Sequence, residues 1–149
     1  VAEVTEIRKA IYDLLKTLTT ANGYTYTYTI DESTDWEDVT EYGYETSPIV
    51  KLNDSAQQER NDDLSLCNST AYECAWEIWV HSSVTGSDVE RTERSNIEKD
   101  INRLVNNNPS LLGKATIFDF AEGMNLANGT ETFPHKYIFS VRIVFERSW

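Results

Sequence analysis

The chain reads as an α+β domain in which two helices pack on one face of a mixed or largely antiparallel sheet of four to five strands. Two observations carry that reading. Segments 3–19 and 87–105 repeat apolar residues at helical spacing along a single stripe. Other segments alternate apolar and polar residues every second position, as a strand with one buried face must. At 149 residues the chain fits one domain, spanning 1–149, and a domain of that size buries roughly 70% of its unfolded surface without help from disulfides or metals.

The first helix is expected over 3–19, where Val4, Ile7, Ile11, Leu14, Leu15 and Leu18 share a stripe, and Asn22 and Gly23 supply its stop. GYTYTYTI follows and predicts a strand, with Tyr24, Tyr26, Tyr28 and Ile30 on one side and threonines on the other. Residues 31–45, DESTDWEDVTEYGYE, hold seven acids and no base and predict a loop or hairpin tip. SPIVKLN, 47–53, is a short strand with Pro48 where a strand begins or forms an edge. Residues 54–70 are polar and weakly periodic, which predicts a long connection. AYECAWEIWVH, 71–81, alternates cleanly, placing Tyr72, Cys74, Trp76, Ile78 and Val80 on the core side and Glu73, Ala75, Glu77, Trp79 and His81 on the other.

The second helix opens on a capping box, Ser87 with Glu90, carries Val89, Ile97, Ile101, Leu104 and Val105 inward, and stops at NNNP. KATIFDFAE is a strand, GMNLANGTETFPH a loop, and KYIFSVRIVFERSW a closing strand with Tyr137, Phe139, Val141, Ile143 and Phe145 toward the core. With both helices on one side, the second face of the sheet is expected to lack cover from its own chain.

Composition narrows the function classes. The net charge of −12 is uneven: residues 1–75 carry −10 and residues 76–149 carry −2. No basic stripe is available to track phosphates, which speaks against tight binding to nucleic acid. No run approaches the roughly 18 apolar residues of a membrane span, and the start has no signal-peptide pattern, so a cytoplasmic origin is the default expectation. Cys67 and Cys74 stand seven apart with no further Cys or His cluster to complete a zinc site, and are expected as free thiols with Cys74 in the core.

Chemistry finds few candidates. Glu73 and Glu77 share a strand face, but four residues along a strand separate their Cα atoms by about 13 Å, too far for an easy glycosidase pair. His81 could act as a base, yet only His135 joins it in the whole chain. No phosphate loop, GxSxG elbow, HExxH pair or CxxC motif is present. Asp31, Asp35, Glu37 and Glu41 do not follow the spacing of a calcium loop. A binding or structural role is therefore expected, with no catalysis, cofactor or metal.

In order and length of elements the chain resembles the tail terminator proteins of long-tailed bacteriophages, also called tail-completion or tail-to-head joining proteins. The resemblance lies in EVTEIRKAIYDLLKTL running into GYTYTYTI, in PIVKLN, in YECAWEIWVHS passing by a short turn into ERTERSNIEKDINRLV, and in TIFDF and YIFSVRIVFE. It implies a virion protein of the tail–neck junction, assembled in the host cytoplasm as a homo-oligomeric ring, typically a hexamer. Such a ring caps the tail tube, stops its polymerisation, meets a head-connector or neck protein, and lets DNA pass without specific binding. A ring needs one patch set against a different patch on the neighbour. Trp79, with Glu73, Glu77 and His81 around it, is the candidate contact, unless its own chain covers it. Asp31, Glu32, Asp35, Trp36, Glu37, Asp38 and Glu41 are candidates for an acidic channel lining or a connector contact. The alternatives are a neck or head-completion protein, a small-ligand-binding α+β domain, and an enzyme using Glu73 and Glu77.

Overall fold

A computed structural model of the chain describes residues 4–32, 48–53, 59–66, 69–81, 87–121, 130–132 and 136–148. Two helices, α1 (Val4–Leu15) and α2 (Ser87–Asn106), accompany seven strands: β1 (Thr29–Asp31), β2 (Ile49–Asn53), β3 (Glu59–Leu66), β4 (Ser69–His81), β5 (Ile117–Phe120), β6 (Thr130–Thr132) and β7 (Lys136–Ser148).

The sheet is built on a spine. β4 and β7 are each 13 residues long and pair antiparallel throughout, from Ser69 opposite Ser148 to His81 opposite Lys136. Their strict alternation puts Cys74, Trp76, Ile78 and Val80 beside Phe139, Val141, Ile143 and Phe145 on one buried face. Each edge of the spine is occupied by two short strands in line. β2 pairs with the far half of β4, from Asn53 opposite Glu77 to Ile49 opposite His81, and β3 with its near half. On the other side β5 pairs with Val141 to Val144 of β7 and β6 with Lys136 to Ile138. β1 joins β2 in parallel, so the sheet is mixed, and the strand path β1-β2-β4-β7-β5 gives the expected α+β class.

Both helices lie on the same face. Ile7, Ile11, Leu14 and Leu15 of α1 and Ile97, Ile101, Leu104 and Val105 of α2 form one apolar cluster with Val50, Leu52, Trp76, Ile78 and Phe139. Each such side chain contributes about 1.5–3 kcal/mol by leaving water. Cys74 is buried there as a free thiol, while Cys67 falls outside the described residues.

Several expectations are corrected. α1 ends at Leu15 and tightens into i−3 hydrogen bonds, Thr17 to Leu14 and Leu18 to Leu15, rather than running to residue 19. Part of 54–70 is β3, whose ERNDDLSL shows no alternation because an edge strand paired to a long neighbour needs no second apolar row. Likewise β6 lies inside the expected loop 123–135, too short for any periodicity to register. β1 and β2 pair in parallel and so are not the two arms of one hairpin, while the loop or hairpin tip expected over 31–45 lies, from residue 33 on, outside the described residues.

The largest correction concerns GYTYTYTI, of which only Thr29 and Ile30 enter a strand. Residues 24–28 lie against α2 outside any strand instead, with a bend at Thr25 and Tyr26. The Arg103 guanidinium sits 4.7 Å over the Tyr24 ring and donates to the Gly23 carbonyl at 2.8 Å, while Asn96 Nδ2 donates to the Tyr26 hydroxyl. Asp100, only 2% exposed, accepts from the Thr25 amide and hydroxyl at 3.1 Å and from the Tyr28 hydroxyl at 2.7 Å. The alternation is real, but a polar row on a helix reads it rather than a neighbouring strand. Gly23 permits the approach: its φ is +88°, and a Cβ there would stand 3.1 Å from Arg103.

Candidate functional site

On the sheet face opposite the helices stand Glu73, Ala75, Glu77, Trp79 and His81 of β4, with Lys51 and Asn53 of β2 on one side and Ile138, Ser140, Arg142 and Val144 of β7 on the other. The face is not bare, contrary to expectation. Ile49, Lys51, Ala71, His81 and Val144 are buried on it, and Trp79 is half-buried. Ala75 is exposed.

The carboxylates of Glu73 and Glu77 on this face are already engaged. Arg142 Nε donates to Glu73 Oε1. Glu77 Oε1 accepts from Asn53 Nδ2 at 3.0 Å and from the Trp79 indole at 3.2 Å. The Trp79 ring meets His81 edge-on, with centroids 6.5 Å apart and planes at 80°. The four candidate residues thus share one face, but strung along a strand with a different partner for each carboxylate. That arrangement holds a surface in shape; it does not converge on a reacting atom. Among the described residues no group of three His, Cys, Asp or Glu could hold a metal ion.

Of the acidic candidates, Asp31 pairs with Lys51 at 3.7 Å, both largely buried, and Glu32 with Lys16 at 3.2 Å in the open. Asp35, Trp36, Glu37, Asp38 and Glu41 lie outside the described residues, as do the side chains of Ser87, Val89 and Glu90.

Among the described residues, two open hollows were not foreseen. One, of about 570 Å³, lies on the outer sheet face among Glu73, Ala75, Asp119, Phe120, Ala121 and Arg142. Register brings these together: Asp119 stands opposite Arg142, and Arg142 opposite Ala75. The other, of about 320 Å³, lies between α1 and the turn after α2, lined by Glu6, Lys9, Ala10, Asp13, Leu112 and Lys114.

That turn is itself unusual. Leu111, Leu112 and Gly113 have φ of 48°, 55° and 81°, three successive residues in the left-handed region. Hydrogen bonds from Gly113 and Ala115 amides to the Ser110 carbonyl, both 3.0 Å, close it. Left-handed backbone costs roughly 1–2 kcal/mol for each non-glycine residue. Leu111 fills the core in return; Leu112 turns outward and is 55% exposed. Nothing in NPSLLGK beyond its Gly signals this geometry.

The Asp100 cluster has a different character. Burial first, and the hydrogen bond to Asp100 second, push the Tyr28 hydroxyl far above its ordinary value of 10.0. Burial also raises Tyr24, against the opposing pull of Arg103. A buried carboxylate on α2 that accepts from Thr25 and Tyr28 is a structural tether for residues 24–28.

Among the described residues no helix is long and apolar enough to cross a membrane. Compared with models of known protein families and with curated proteins, the chain matches none.

Proposed function

We propose that the chain is a non-catalytic structural subunit that assembles into a ring capping a phage tail tube, stops the tube's growth and joins the tail to the head connector, leaving a passage for DNA. The observation that carries this reading is the asymmetry of the layers. Two helices close one face of the sheet, while the other presents, on two fully paired 13-residue strands, a row of half-buried polar and aromatic side chains around Trp79. A stiff face of this kind suits a contact between one patch and a different one on the next subunit. The engagement of Glu73 with Arg142, and of Glu77 with Asn53 and Trp79, supports contact rather than acid–base work. A net charge of −12 supports a ring that lets DNA pass without gripping it.

The test is a mass measurement on the purified chain, alone and with tail-tube protein or assembled tails. Closed oligomers that cap tube ends are expected, and Trp79→Ala should weaken their assembly by about thirtyfold while leaving the monomer's circular dichroism unchanged. A chain that stays monomeric in every condition would overturn the proposal. Binding to isolated connectors but not to tubes would move the subunit to the neck side of the joint.

A further inference from the structure

Leu112 is the one large apolar side chain that stands well exposed among the described residues, and it does so from a backbone that leucine disfavours. Asn or Gly would hold the same turn with less strain. Strain kept at an exposed position points outward, to something Leu112 touches when the chain is bound.

Charge indicates what that something is. Among the described side chains, those of the helix layer, residues 4–24 and 92–115, number seven Lys and Arg against five Asp and Glu. Two of those acids, Glu93 and Asp100, are buried, so the described surface of the layer carries +4. The other described side chains, those of the sheet and its approaches, hold three basic residues against six acidic ones, and one of the bases, Lys51, is buried, so their surface carries −4. A basic layer and an acidic remainder repel their own kind and attract each other. That balance favours a head-to-tail over a face-to-face arrangement of two copies.

We infer that Leu112 of one copy seats in the hollow on the outer sheet face of the next, against Ala75, Phe120 and Ala121, with Lys114 beside Asp119. The hollow, about 570 Å³, has room for a leucine side chain, and the two carboxylates of its lining, Glu73 and Asp119, outnumber Arg142 in charge. Lys114 is half-exposed, two positions from Leu112, and its link to Glu6 is loose at 3.8 Å. The contact deepens the ring reading and rests on it for closure.

Self-association of the purified full chain, measured by sedimentation across a concentration series at low and high salt, tests this. Leu112→Asn should weaken association by about tenfold. Because Asn accepts left-handed backbone, this variant should melt no lower than the unmodified chain, which separates lost contact from lost fold. Lys114→Glu should weaken association by about two- to fivefold, and adding Asp119→Lys on the same chain should restore it. Rings that form equally well with Leu112→Asn and Lys114→Glu would overturn the contact and leave the proposed function standing. Closed dimers as the only oligomer would overturn it too, since a head-to-tail contact does not stop at two. A chain that never associates, even with tail tubes, would overturn both.

Discussion

Asp100 and Glu77 are both carboxylates that collect hydrogen bonds from neighbouring groups, yet one is sealed between α2 and residues 24–28 and the other lies on the outer face of the sheet. Asp100 accepts from Thr25 and Tyr28 across more than seventy residues of sequence, at 2% exposure. Glu77 accepts from Asn53 and Trp79, with water still in reach. The bonds have similar lengths, so geometry does not separate the two sites. Solvation does. A buried charge must be saturated by the protein because nothing else will do it, whereas a half-exposed one trades protein donors for water at little cost.

Removing the carboxylate at the buried site should therefore have the largest effect. Asp100→Ala leaves the Thr25 amide and the Tyr28 hydroxyl without their acceptor and should destabilise the fold by about 3 kcal/mol, read from urea unfolding. A loss below about 1 kcal/mol would mean that water reaches the site, and the contrast with Glu77 would collapse.

The Tyr28 hydroxyl sharpens the same contrast through pH. Its folded-state pKa lies above the ordinary 10.0, so the folded chain keeps a proton that the unfolded chain gives up. The stabilisation is whole below about pH 10 and is lost as pH climbs above it. The melting temperature should fall between about pH 9 and 11, and by less in Tyr28→Phe than in the unmodified chain. Equal falls would place the alkaline sensitivity elsewhere. At the exposed site the smallest change is expected: Glu77→Gln should cost about 0–1 kcal/mol in the same unfolding measurement.

How far these sites can be read from residues alone follows from the range of the forces that make them. The stripes of α1 and α2, the core rows of β4 and β7, and the burial of Cys74 were legible because each is a local periodicity that burial converts directly into structure. The alternation of Tyr24, Tyr26 and Tyr28 was legible as alternation, but not its partner: Arg103, Asn96 and Asp100 arrive from a helix some seventy to eighty residues later. β3 was hidden because a strand held by backbone pairing at an edge leaves no pattern in ERNDDLSL. The hollow joining Glu73, Asp119 and Arg142 depends on the register of three strands, which no single segment contains.

By itself, then, the sequence determined which residues would be buried, where the helices run, the one-sidedness of the layers and the acid excess, since these follow from hydropathy and charge taken position by position. The tertiary structure decided the rest. It chose a helix over a strand as partner for the tyrosines and set Glu73 and Glu77 on separate donors. It also turned Leu112 out to water beside a buried Leu111. Those are questions of which distant groups meet, and only the closed fold, where registers and packing are settled together, answers them.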